Sequence, residues 1–225
     1  MSARFVDRVE AGKALAEQLT RLHLPPPIVV LALPRGGVPV AAEVALALGT
    51  ELDLVLVRKI GAPGQPEFAV AAVAEGDPAE IVFDDAGHGG MAMDADYIES
   101  QARSELREIA RRRRIYLRGR APAVVKGRTA IVVDDGIATG TTLRAALKAL
   151  RRRHPARLVL AVPVAPYDTL ESLRAEVDLV VCLAQPYPFN SVGEHYVDFH
   201  QVDDAEVIKA LALASRPARV ARPGE

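Results

Sequence analysis

Residues 130–142 read Ala130-Ile131-Val132-Val133-Asp134-Asp135-Gly136-Ile137-Ala138-Thr139-Gly140-Thr141-Thr142. Four apolar residues suit a strand buried on both faces of a parallel sheet. Two carboxylates follow, then a short loop of glycine and hydroxyl residues, then an apolar-periodic stretch, 143–150, that predicts a helix. The N–H groups of residues 139–142 would then be donors at a helix N-terminus, where the dipole also favours an anion, so a phosphate fits there. Side chains alternate faces along a strand, so Asp134 and Asp135 serve one ligand only if the chain turns between them, and Gly136 supplies the turn. Carboxylates beside a phosphate repel it. Their presence therefore calls for sugar hydroxyls that donate to them, a divalent metal, or both. As ligand-binding groups they are expected to be replaceable by Asn with the fold intact.

Working outward, the same alternation recurs. Asp7, Ala11, Leu15, Leu19 and Leu22 predict a first helix, stopped by Pro25, Pro26 and Pro27. Strands are expected over 28–33, 52–57, 70–74, 158–164 and 178–183, and helices over 38–48, 94–117, 167–174 and 203–213, with 76–93 irregular. Residues 61–66, rich in Gly and Pro, read as a mobile connection. The expected fold class is α/β: a right-handed, mostly parallel sheet flanked by helices in a single domain, 1–225, with a small C-terminal lobe over 184–202 and a frayed tail over 215–225.

Ligands in such sheets bind beyond the carboxyl ends of the strands. At the first strand end stand Pro34, Arg35, Gly36 and Gly37, a cation and two residues whose backbone can approach an oxyanion, or else a plain strand-to-helix turn. Arg58 and Lys59 follow the second apolar run, as an anion clamp or as a solvated rim. Tyr187, Phe189, Tyr196 and Phe199 gather in one segment of a chain poor in aromatics, either to stack on a flat acceptor or to pack the small lobe. Arg111, Arg112, Arg113 and Arg114 invite a nucleic-acid reading, but a late helical position and Glu108 one turn earlier favour a solvated helix end. His88 and His195 are weaker acid–base candidates.

The chain of 225 residues has 50% hydrophobic residues and a net charge of −1, so nothing global points to nucleic acid or an anionic membrane. No apolar stretch reaches spanning length and the first residues are too polar for a signal peptide, which predicts a soluble, cytoplasmic protein. Cys182, the single cysteine, excludes an intrachain disulfide or a cysteine-built zinc site.

Residues 132–142 resemble the phosphoribosyl pyrophosphate (PRPP) motif of the type I phosphoribosyltransferases: apolar residues, two acids, a few variable positions, then Thr-Gly-Thr-Thr. A Walker-type loop is excluded, since no Gly-Lys-Ser or Gly-Lys-Thr occurs there. The resemblance extends less specifically over most of the chain, most closely to loosely characterised bacterial members. It implies PRPP as donor, magnesium held by Asp134 and Asp135, a nitrogenous acceptor and pyrophosphate as product. Arg35, Arg58, Lys59, Asp134 and Asp135 would be catalytic. Pro34 to Gly37 would form the pyrophosphate loop, the segment from Asp134 through Gly136, Ile137 and Ala138 to Thr142 the ribose-phosphate cradle, and Tyr187 and Phe189 part of an acceptor-binding hood. Ala138 departs from the hypoxanthine-guanine branch, which has Asp before its Thr-Gly pair, so a 6-oxopurine acceptor loses support. The family also contains PRPP-sensing regulators that bind nucleic acid without turnover; this is the alternative reading, with a hydrolase or transferase of another phosphorylated sugar behind it. A homo-oligomer is compatible with the resemblance.

Overall fold

The computed structural model describes residues 4–75, 79–83 and 94–214. Asp7 caps the first helix, α1 (Arg8–Arg21), by accepting from the Glu10 N–H, and Ala11, Leu15, Ala16 and Leu19 form its buried stripe. Strand β1 (Ile28–Ala32) follows the prolines. Helix α2 (Gly37–Leu48) ends at Gly49, whose φ of 60° is the left-handed cap that stops it. Strand β2 (Glu51–Leu54) then lies parallel to β1.

Here the chain departs from expectation. The apolar run 52–57 is two strands in two sheets: β2 stops at Leu54, and β3 (Val57–Ala62) pairs antiparallel with β4 (Gln65–Ala74). Both sheets bury this run, so hydropathy carries no mark where the chain changes sheet. The stretch expected to be a mobile connection is the tip of that hairpin, where Gly64 supplies a φ of 73°. The strand expected at 70–74 is the second half of β4. A short strand, β5 (Glu80–Phe83), completes a three-stranded sheet from within the region expected to be irregular. His88 and the tail 215–225 lie outside the described residues.

Asp94 caps α3 (Ala95–Leu117), as its sequence predicts. The remaining elements are β6 (Thr129–Val133), α4 (Thr141–Arg152), β7 (Arg157–Val164), α5 (Tyr167–Leu173), β8 (Leu179–Ala184) and α6 (Asp204–Ala214). The central sheet is parallel, in the order β2-β1-β6-β7-β8. Its middle strands are apolar throughout because both faces are covered. Val30, Ala32, Ile131 and Val133 face the core under α1, α2, α3 and α6, while Val29, Leu31, Ala130 and Val132 face the core under α4 and α5. Among the described residues no helix is long and apolar enough to cross a membrane.

Near the end of β2, a buried charge network ties that strand to α3. Both carboxylate oxygens of Asp53 accept from one terminal nitrogen of Arg113, at 2.9 and 3.1 Å, and the other terminal nitrogen of Arg113 reaches Glu75 at 2.7 Å. Asp53 also accepts the Ala123 N–H at 2.7 Å.

Candidate functional site

Strands β1 and β6 are neighbours in register, with Ala32 opposite Val133, so the residues following each are brought together whatever their separation in the chain. Leu33 continues the pairing by donating its N–H to the Val133 carbonyl at 3.0 Å. The turn Pro34-Arg35-Gly36-Gly37 therefore lies directly against Asp134 and Asp135, and its Pro34–Arg35 peptide is cis. A Cβ on Gly36 would stand 2.1 Å from Oδ2 of Asp135, and one on Gly37 would stand 2.7 Å from the Val133 carbonyl oxygen and 2.8 Å from the Asp134 Cα. The obstacle at Gly37 is backbone and cannot rotate away. Gly37→Ala is expected to destabilise the fold by about 1–3 kcal/mol in urea unfolding; a loss below about 0.5 kcal/mol would mean that α2 can withdraw from β6 freely.

The two acids sit in different surroundings. Asp134 is half-buried, with Oδ1 accepting the Asp135 N–H at 2.9 Å; burial, then the adjacent Asp135 charge, hold its carboxyl well above the usual range. Asp135 takes a partner from α1. Its Oδ2 receives Nε of Arg8, the first residue of α1, at 2.8 Å, and burial raises its pKa against the opposing pull of Arg8. Gly136 fits beneath the side chains of Val164 and Val192, and Ile137 is buried with its N–H on the Val164 carbonyl at 3.0 Å.

Beyond Ile137 the chain surfaces: Ala138 and Thr139 are exposed, and Gly140, at a φ of 74°, opens α4. Thr169 Oγ1 donates to the Ala138 carbonyl at 2.9 Å, and the Arg144 N–H returns to Gly140 at 2.8 Å, which fixes both ends of the loop. In this conformation the first N–H groups of α4, starting at Thr141 and Thr142, point out of the helix end without an intrahelical acceptor, an anion-binding arrangement.

The cations converge less simply than their sequence positions suggest. Pro34, Val57, Arg58 and Thr142 line one cleft, so the turn after β1, the start of β3 and the start of α4 do meet. Arg58 and Lys59, however, are consecutive strand residues and take opposite faces: Arg58 is ion-paired with Glu105 of α3 at 2.6 Å, whereas Lys59 is exposed. Arg35 lies 3.7 Å from Asp204 at the start of α6. Each arginine thus rests against an acid that no local pattern pairs with it.

The aromatic segment also divides. Tyr187 is 99% exposed, whereas Phe189 stacks on His195 with ring centroids 5.3 Å apart, inside a small apolar cluster. Tyr196 is buried and donates its hydroxyl to the Asp135 carbonyl at 2.6 Å; Phe199 stacks on Tyr196 and lies under the Arg8 guanidinium. The N-terminal Phe5 and Val6 hydrogen-bond along residues 195–198, so this lobe is built from both ends of the described chain. Sequence reading overlooks Arg8 as a site residue, because a single arginine at a helix start carries no motif.

Three comparisons bear on this geometry. A 47% identical protein, TT1426 from Thermus thermophilus, has a solved structure that superposes with a TM-score of 0.80 over 92% of this chain and 97% of its own. Two Mycobacterium tuberculosis proteins, Rv0571c of strain H37Rv and MT0597 of strain CDC 1551, are 44% identical over 94% of this chain, and their phosphoribosyl transferase names are provisional. The chain spans about half the length of these curated relatives, 47% of each. The family model of the phosphoribosyl transferase domain matches residues 7–196. This chain belongs to the phosphoribosyl transferase family. Its fold, a central parallel sheet of five strands flanked by helices, is the type I phosphoribosyltransferase fold.

Within a phosphoribosyl transferase domain, the carboxylates at the end of β6 are the candidates for a metal. Among the described residues no group of three or more His, Cys, Asp or Glu side chains is assembled to hold an ion. Asp134 and Asp135 are oxygen donors of the kind that magnesium takes, one or two carboxylates beside a ligand's phosphates. The arginine run of this domain forms no single cationic face: Arg111 and Arg112 both donate to Glu108, holding its carboxyl down to about 2, and Arg113 is turned inward to Asp53 and Glu75.

Proposed function

We propose that this domain transfers the phosphoribosyl group of PRPP to a nitrogenous acceptor with release of pyrophosphate. One observation carries the reading: Gly36 and Gly37 are pressed against Asp134 and Asp135, at the carboxyl edge of the sheet and beside the open N-terminus of α4. This juxtaposition gives one ligand a backbone approach for an anion, carboxylates for hydroxyls and a helix end for a phosphate.

The 5-phosphate would take the N–H groups at Thr139 to Thr142, and Asp134 would accept from the ribose hydroxyls. As the bond to pyrophosphate breaks, negative charge gathers on the leaving group. Arg35, Arg58 and Lys59, with the turn at Gly36 and Gly37, would stabilise it there. Magnesium bound with the diphosphate and Asp134 would neutralise part of the same charge. Arg35 and Arg58 must share or exchange their partners Asp204 and Glu105 to do so. The positive charge developing on the sugar needs no covalent enzyme intermediate, so the residues act by position and field. Residues 184–202 form the proposed hood, in which the exposed ring of Tyr187 is free to stack on a flat acceptor while Phe189 supports the lobe from inside. Ala138 offers no side-chain group to a 6-oxopurine.

The test is incubation with PRPP and magnesium chloride against a panel of purines, pyrimidines and simple amines, with pyrophosphate as the readout. Release dependent on a particular acceptor is expected. Tight PRPP binding with no release for any acceptor would overturn the transferase reading.

A further inference from the structure

Arg8 is a cation at the first position of a helix, where the dipole disfavours positive charge, and it is only 7% exposed. Local propensity gives no reason for it, and its contacts do. Nε meets Oδ2 of Asp135 at 2.8 Å, a terminal nitrogen donates to the His200 carbonyl at 2.9 Å, and the guanidinium carbon lies 3.9 Å from the centre of the Phe199 ring. Asp135 is held from its other sides as well, by Gly36 against its carboxylate and by the Tyr196 hydroxyl on its carbonyl. Oδ2 of its carboxylate is therefore committed to Arg8, and the carboxylate also lies against the Asp134 side chain.

We propose that Arg8 is a positioning residue of the sugar cradle: it clamps Asp135 through Oδ2 and cancels one of the two negative charges that face the phosphorylated sugar. The assignment rests on the function proposed above and deepens it. Two adjacent carboxylates would repel a ligand as anionic as a pentose phosphate bearing a diphosphate. With Arg8 in place the acidic pair presents a single net negative charge, and the Asp135 carboxylate is held in a fixed direction beside Asp134. The site thereby keeps acceptors for the hydroxyls without the full cost of charge repulsion.

The test compares wild type, Arg8→Lys, Arg8→Met, Asp135→Asn and the Arg8→Met/Asp135→Asn double variant, by calorimetric titration with PRPP in magnesium chloride and by steady-state kinetics. Arg8→Met is expected to raise the PRPP Kd and KM about tenfold, the scale of one charge-assisted hydrogen bond, with kcat changed less than about threefold. Arg8→Lys should recover at least half of the loss on a logarithmic scale. In the Asp135→Asn background, Arg8→Met should change the Kd by less than about twofold, because its partner is already gone. Additive effects in the double variant, or an unchanged Kd in Arg8→Met, would overturn the assignment while leaving the transferase reading standing. A wild type that binds no PRPP overturns both. If Arg8→Met does not fold, the uncharged Arg8→Gln takes its place: a Kd that rises while the unfolding midpoint holds supports the clamp, and an unchanged Kd refutes it.

Discussion

Asp134→Asn is expected to weaken PRPP binding roughly 10- to 100-fold while leaving the fold intact, as loss of hydrogen bonds to a charged acceptor should. Asn keeps the side chain's shape and the oxygen that accepts the Asp135 N–H, so the backbone turn at the end of β6 survives. What disappears is a charge that the folded protein holds at a disadvantage. Burial, and next the neighbouring Asp135, raise the Asp134 pKa, so the folded state holds that proton more tightly than the unfolded chain. This contribution to stability is fully present below the unfolded carboxylate value of about 3.9 and is lost as pH rises through the raised folded value. Asn escapes that loss. The variant should therefore gain stability relative to wild type between pH 4 and pH 8 in urea unfolding, even as calorimetry shows weaker PRPP binding. An unchanged Kd would remove Asp134 from the cradle. The sequence treats both acids as replaceable, and the structure separates them: Asp135→Asn leaves the Arg8 charge buried without its carboxylate, so it should also cost stability.

Asp53→Ala should lower the unfolding free energy by about 3–5 kcal/mol, the range for breaking a buried ion pair from one side. The Asp53 side chain is 4% exposed and Arg113 14% exposed, so water cannot replace the lost partner cheaply. The Ala123 N–H loses its acceptor in the same step. Glu75 remains, 2.7 Å from Arg113, and decides how the deficit varies with pH. Burial is the main cause that raises the Glu75 pKa, Arg113 opposes it, and Asp53 raises it further. In wild type, stability through Glu75 is lost as pH rises past its raised value. Without Asp53 that value is less raised and the loss is smaller, so the deficit should narrow from pH 5 to pH 8. A deficit below about 1 kcal/mol at both pH values would mean that the network behaves as an exposed pair.

The elements most legible in the sequence were those whose ends are set by local chemistry. Asp7 and Asp94 cap helices through their own side chains, and Gly49 ends α2 because its left-handed backbone suits glycine. The run 52–57 failed for the opposite reason. A residue buried in one sheet has the same hydropathy as a residue buried in another, so the change of sheet after Leu54 leaves no local trace. Arg58 and Lys59 show a related limit. Adjacency suggests one ligand, while the strand pleat sends the two side chains to opposite faces.

By itself the sequence determined the order of strand, acidic pair, glycine-hydroxyl loop and helix, because an anion site at a helix start is made from the backbone of consecutive residues and needs no distant help. Only the tertiary structure decided which charges in that site are free. Arg8 meets Asp135 across 127 positions, Glu105 meets Arg58, and Asp204 meets Arg35. Charges act through space, and the partner each one takes is fixed when α1, α3 and α6 pack onto the sheet, a step that no local pattern records.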